Sequence, residues 1–200
     1  MRYEPDYKAK TRQKVLAEAA KTMRAEGVQG MGVAAVMAKA GLTHGAFYAH
    51  FESKDALIAE TIKEMALAAR GKFDAVTTDL GPAEGLRKYI GFYLSARHRD
   101  NSDTSCPLPW LAGEIPRLDV TSRQRYGASV AGLTELLAGR MRALGHADAE
   151  GAAGSVVAEL VGAIALSRAV EDKAQSDLIL SRSKDSILAR LGLVQVPGEA

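Results

Sequence analysis

Apolar residues recur at helical spacing along almost the whole of this 200-residue chain, and nothing else in it constrains the fold as strongly. Val15, Ala19 and Met23 repeat every four residues, with Leu16 and Ala20 beside them, so residues 8–26 carry one apolar face. No run of alternating β-branched residues argues for a strand. Aromatics make up only 6% of the chain, whereas Ala, Leu, Glu, Lys and Arg are common, which favours helix at most positions. The expectation is an all-α protein of about nine helices. Their spans read as 8–26, 33–40, 44–50, 54–76 and 82–99, a short piece bracketed by Pro107, Pro109 and Pro116, then 120–144, 148–173 and 176–191.

The punctuation between these spans is chemically explicit. Gly27 and Gly41 supply left-handed stops, Gly30-Met31-Gly32 and residues 101–105 read as loops, and Gly145-His146 reads as a turn. Thr43, Ser53 and Asp148 stand where an N-cap is needed. Residues 194–200 read as a tail. A boundary at Phe51-Glu52-Ser53 divides residues 1–53 from 54–200, with no flexible linker.

The net charge of +2 says little, but its distribution says more. Residues 1–51 hold eight Lys or Arg against four Asp or Glu, and the rest of the chain is slightly acidic. A basic N-terminal segment on a near-neutral body fits either contact with a polyanion or a solvated basic helix face. The single cysteine, Cys106, excludes an intrachain disulfide framework. The opening Met1-Arg2-Tyr3-Glu4-Pro5 has no apolar stretch of the kind a signal peptide needs. The most apolar segment, 155–170, is interrupted by Glu159 and Arg168 and reads as too short to span a bilayer. The reading is a cytoplasmic protein in a reducing compartment, with no membrane partner.

The stretch over residues 33–54, VAAVMAKAGLTHGAFYAHFESK, is the most informative. Two short helices joined by a Gly-containing turn form a helix-turn-helix pattern. Ala38 is small enough for a close helix crossing, Leu42 can plug the core inside the turn, and Thr43 is placed to cap the second helix or reach a phosphate. Gly45 and Ala46 keep that helix slim where it would enter a major groove. Phe47 and Phe51, four apart, are expected to pack on the first helix. Tyr48 and His50 carry polar tips suited to phosphate oxygens. Lys54 stands at a helix N-terminus, where its charge and the backbone amides can both meet phosphate.

The segment AGLTHGAFYAHFESKDAL resembles the signature of the TetR family of bacterial repressors, specifically over residues 10–60. That resemblance implies an all-α homodimer with an N-terminal three-helix DNA-binding domain and a C-terminal helical bundle for ligand binding and dimerisation. It implies a repressor released from double-stranded operator DNA by a small-molecule effector, and no cofactor. By the same resemblance Thr43, His44 and Gly45 lie nearest the base edges, Tyr48, His50 and Lys54 hold the backbone, and Thr11, Arg12, Ala34 and Ala35 add phosphate contacts. Gly32 stands where the family usually has Ser or Thr, so contacts from Val33, Ala34 and Ala35 are expected to be weak or to come from backbone amides.

One helix-turn-helix touches few base pairs, so a two-fold dimer is expected. Gly154, Val157, Val161, Ile164 and Ala165 form one stripe of small and branched residues, and Leu178, Ile179, Ile187, Leu188 and Leu191 a second. These stripes serve either a dimer interface through the last two helices or the protomer's own core. Met65, Phe92, Tyr93, Cys106, Trp110, Tyr126 and Met141 are candidates for lining an effector pocket or for ordinary core. Cys106 precedes Pro107, which suits a helix start, and Arg97, His98 and Arg99 are near in sequence. Ser105-Cys106-Pro107-Leu108 followed by Leu111-Ala112-Gly113-Glu114 resembles a subgroup of these repressors with a cysteine in the effector domain, which implies a sensor thiol for oxidants or electrophiles; the alternative is a buried inert cysteine. An enzyme is disfavoured. Cys106 and His98 have no specific spacing, no Gly-rich phosphate loop appears, and the four histidines lack metal-ligand spacing. A helical adaptor without DNA binding is the remaining alternative.

Overall fold

The computed structural model describes residues 5–101 and 105–194. Among them all regular structure is helical: α1 (Pro5–Glu26), α2 (Val33–Lys39), a 3-10 segment (His44–Ala49), α3 (Lys54–Thr77), α4 (Pro82–Tyr93), α5 (Ala96–Asp100), α6 (Leu108–Leu111), a second 3-10 turn (Ile115–Arg117), α7 (Val120–Ala143), α8 (Ala149–Ala169) and α9 (Lys173–Arg190). Readings that fell on residues 1–4, 102–104 and 195–200 lie outside the described residues. The chain forms two compact units. One comprises residues up to Ala69 with Cys106–Ser129, and the other comprises Arg70–Ser105 with residues from Val130 onward.

The first unit is organised by the apolar face of α1. Val15 and Ala19 are fully buried, and Met23 is 1% exposed. Onto them pack Val36 and Met37 of α2, the Phe47 and Phe51 rings, Leu57, Ile58 and Ile62 of α3, and Leu111 and Ile115 from much later in the chain. Burying each large side chain contributes roughly 1.5–3 kcal/mol, so this cluster is the unit's main source of stability. Glu114 ties the two chain segments together: the Val28 N–H donates to its Oε2 at 2.9 Å, just past the end of α1. The unit therefore continues past the Phe51-Glu52-Ser53 junction into α3.

In the second unit the expected helix over 82–99 is two helices. Leu94 leaves the helical region, and Ser95 starts α5 by accepting from the His98 N–H at 3.1 Å. The restart lets the buried His98 ring meet the Tyr93 ring at 4.6 Å and hydrogen-bond the Tyr93 carbonyl through Nδ1 at 2.7 Å. The next residue, Arg99, is also buried. It donates to Asp100 Oδ1 (2.7 Å), Asp177 Oδ1 (2.5 Å) and Ser176 Oγ (2.7 Å), which anchors α5 to α9. Asp148 caps α8 as expected, with the Gly151 N–H donating to its Oδ1 at 3.0 Å. The last two helices divide differently from the sequence reading. Asp172 accepts from the Ala174 and Gln175 N–H groups, so Lys173 opens α9 and does not close α8.

The two stripes on α8 and α9 are only partly available to a partner. Val157, Ile164, Ile187 and Leu191 are buried within their own unit. Gly154, Val161, Ala165, Ile179 and Leu188 are half-buried, while Leu166 and Leu178 are exposed at 61% and 44%. The helix pitch explains the split, because positions seven apart return to one face and their neighbours do not. At 21 residues, with an 18-residue stretch of mean hydropathy 1.5, α8 has the length and composition of a membrane-crossing helix and extends beyond the 155–170 segment read from the sequence. One of its faces is nonetheless core, with Ala153, Val156, Leu160 and Ala163 buried.

Candidate nucleic-acid interface

The turn between α2 and the 3-10 segment follows from Gly41. Its φ of +76° lets the Leu42 N–H return to the Met37 carbonyl (2.9 Å) while its own N–H meets the Ala38 carbonyl (3.0 Å). This is the Schellman arrangement, which needs a residue free of the Cβ penalty. Leu42 is half-buried and packs on the core, as expected of a plug. Ala38, by contrast, is exposed, and the crossing is made by Val36 and Met37.

The short helix expected over residues 44–50 is present as a 3-10 helix, His44–Ala49. Its bonds are short-range, with Ala46 N–H to Thr43 O at 3.1 Å and His50 N–H to Phe47 O at 2.9 Å. Six residues held at their end by buried aromatics, with Gly45 lowering helix propensity, suit this tighter winding. Thr43 has the extended backbone of an N-cap, but its side chain accepts no cap hydrogen bond. Phe47 and Phe51 are 2% and 4% exposed, with ring centroids 5.7 Å apart. The buried pair turns the rest of the segment outward. Thr43, His44 and Gly45 are exposed, a Cβ at Gly45 would meet nothing within 4 Å, and Tyr48 is 70% exposed.

Lys54 is exposed at the first position of α3. Ser53 caps that helix, accepting from the Ala56 N–H at 3.0 Å. A cation beside the positive end of a helix dipole is unfavourable by itself, and among the described residues no carboxylate pairs with Lys54. An external anion would relieve both charges. At the start of α2, Ala34 and Ala35 are exposed and Val33 is half-buried against the core, and Gly32 caps without a side-chain bond.

The two expected phosphate contacts on α1 have other employment. Thr11 is 7% exposed. The Arg12 guanidinium donates to the His50 carbonyl, lies 4.2 Å over the Phe51 ring and stands 3.5 Å from the Glu60 carboxylate. Arg125 reaches the same carboxylate at 3.7 Å. His50 is half-buried, and its pKa is lowered by burial first, then by the charges of Lys8 and Arg12. It therefore presents a neutral ring. Lys8, exposed and within electrostatic reach of His50, was missed by the sequence reading. Its position four residues before Arg12, on the same helix face, is the signal that could have found it.

The candidates for an effector pocket fall in different units. Met65, Cys106, Trp110 and Tyr126 belong to the first, and Phe92, Tyr93 and Met141 to the second. Met65, Tyr93 and Met141 are core, at 2%, 0% and 0% exposed. Trp110 and Tyr126 are half-buried on the first unit's core, and the Tyr126 hydroxyl donates to the Leu108 carbonyl at 3.0 Å. Burial, with a smaller contribution from Cys106, raises the Tyr126 pKa. Cys106 is itself buried, at 7% exposure. Helix α6 is a single turn, too short for an appreciable dipole. The Arg99 charge is matched by Asp100 and Asp177, and burial lowers the His98 pKa to about 4, so that ring is neutral.

Residues 15–61, which hold this turn and its supporting core, match the family described as bacterial regulatory proteins, tetR family. No curated protein matches the chain in sequence. Among solved structures, the reduced form of NemR from E. coli superposes with a TM-score of 0.80 at 17% identity, covering 95% of this chain and 100% of that one. A TetR-family transcriptional regulator from Cytophaga hutchinsonii gives 0.79 at 22% identity, over 93% and 97% of the two chains. Another from Agrobacterium tumefaciens gives 0.76 at 22% identity, over 92% and 98%. Residues 15–61 thus carry the signature of the tetR family of bacterial regulatory proteins, and the chain shares the fold of solved TetR-family regulators along nearly its whole length.

Proposed function

We propose that the chain is a homodimeric, ligand-responsive repressor. Residues 1–53 bind operator DNA, and residues 54–200 bind a small effector and dimerise. Thr43, His44 and Gly45 read base edges in the major groove. Tyr48, His50, Lys54 and the backbone amides around Val33, Ala34 and Ala35 hold phosphates. The observation that carries this reading is the outward array of Thr43, His44, Gly45 and Tyr48, fixed from beneath by buried Phe47 and Phe51, with the unpaired charge of Lys54 beside it. Dimerisation through α8 and α9 is supported by exposed Leu166 and Leu178 beside half-buried Gly154, Val161 and Ala165. The protein acts in the cytoplasm, where its operator is, and carries out no catalysis.

Release from the operator requires the effector to favour a pose in which the two recognition segments no longer match the groove spacing, by a differential affinity of about 1–3 kcal/mol. Selection of bound DNA from a random pool, followed by fluorescence anisotropy over a range of salt, tests the reading. A palindromic site and a linear fall of log affinity with log salt are expected. Binding without sequence preference, or a monomer at every concentration in sedimentation, overturns it.

A further inference from the structure

The second unit contains a groove of about 810 Å³ between α4 and the C-terminal end of α9, a volume in the range of small-molecule sites. One wall is built by the chain's turn after α9. Gly192 has a φ of +64°, which sends the Leu193 N–H back to the Leu188 carbonyl at 2.8 Å and the Gly192 N–H to the Ala189 carbonyl at 3.1 Å. That arrangement pins Leu193, 4% exposed, against Leu188. Phe92 of α4 completes the apolar lining, and the Lys72 ammonium lies 5.2 Å over its ring.

The rim is polar and lopsided in charge. Arg87, Lys88 and Lys184 border the groove, against Glu84 and Asp185. Among the described residues none of these five ionised groups forms an ion pair, nor does Lys72. With Lys72, four cations face two carboxylates around an apolar lining. Such a surface suits a molecule with an anionic head and an apolar body, because guanidinium and ammonium groups bind the head and aliphatic stems and rings cover the tail.

We propose that this groove binds a soluble amphipathic anion, a carboxylate or sulfonate on an apolar chain or ring system. As the effector site it rests on the ligand-responsive reading above. Calorimetry on the full chain without DNA tests the groove by itself, with sodium decanoate as probe and decyltrimethylammonium and acetate as controls. Saturable binding of one decanoate per chain is expected, with both controls weaker by at least about tenfold. The double variant R87E/K184E, changed at two half-buried positions on the rim, loses decanoate affinity by at least about tenfold, while K63E, on exposed α3 surface outside the groove, keeps it. Equal binding of the cationic probe, unchanged affinity in R87E/K184E, or no saturable binding overturns the assignment. Anisotropy with the selected operator then addresses the regulatory reading separately. Decanoate that binds by calorimetry yet leaves operator occupancy unaltered overturns the effector role and leaves the groove assignment standing.

Discussion

The Arg12 guanidinium lies 4.2 Å over the centre of the Phe51 ring, on the aromatic that holds the recognition segment in place. The same guanidinium donates to the His50 carbonyl and sits 3.5 Å from Glu60. Arg12, half-buried, thus joins α1, the end of the recognition segment and α3. Arg12→Ala should destabilise the protein by about 1–3 kcal/mol in urea denaturation, through loss of the cation–π contact and the charged hydrogen bond. Its operator affinity should fall with little change in salt slope. A slope reduced by about one unit would instead mark Arg12 as a phosphate ligand.

Lys54→Ala and Lys8→Ala should behave in the opposite way. Both ammonium groups are exposed, so neither change should cost appreciable stability. Each should weaken binding to all operators alike and lower the salt slope by about one. His44→Ala should instead flatten discrimination among operator variants. Titrations at four salt concentrations, on the selected site and on point-substituted copies, separate these outcomes.

His98 should impose a pH dependence on stability. Its folded pKa of about 4 lies below the ordinary 6.5 because burial disfavours the imidazolium, an effect reinforced by the Arg168 charge and opposed by the bond to Tyr93. As pH falls through 6.5 the unfolded chain takes up the proton first, so folded-state stability drops until about pH 4. The loss attributable to this residue is about 3 kcal/mol at most. His98→Gln should be less stable at pH 7.5 but flatter across that window. Urea midpoints at both ends of the window provide the check, and parallel curves for the two proteins would exclude His98 as the cause.

Gly85 and Arg140 form a lock whose two halves are interdependent. Arg140 donates to the Thr77 carbonyl at 3.1 Å and the Leu80 carbonyl at 3.3 Å, closing the end of α3, and a Cβ at Gly85 would fall within its guanidinium. Gly85→Ala should therefore destabilise by about 1–3 kcal/mol despite alanine's better helix propensity. In an Arg140→Ala background the same change should be neutral or stabilising. Additive effects in this double-mutant cycle would contradict the lock.

Cys106 should react slowly. At 7% exposure, its alkylation by iodoacetamide should be at least about tenfold slower in the native protein than in urea. Equal rates, followed by mass spectrometry, would restore the sensor reading.

Much of the helical architecture was legible because its cause is local. A periodic apolar face selects a helix, and Val15, Ala19 and Met23 are buried where their spacing says they should be. What escaped depends on single side chains near helix ends. Asp172 capping α9 and Ser95 restarting α5 look no different in sequence from many other polar residues, and each becomes a cap only when the backbone supplies its N–H groups. The helix read at residues 44–50 is present over 44–49, but its 3-10 winding was not legible, since six residues pinned by Phe47 and Phe51 take their winding from those anchors.

The chain's own pattern determined which residues turn inward at the candidate interface, because the Gly41 turn and the Phe47–Phe51 spacing act over a few residues. Tertiary structure decided what occupies the charged groups. Arg12 found His50, Val28 found Glu114 across 86 positions, and Arg99 found Asp177 across 78. No spacing rule picks such partners: an ion or hydrogen-bond pair is chosen by which buried groups are brought together unsolvated, and only the packed chain brings them together.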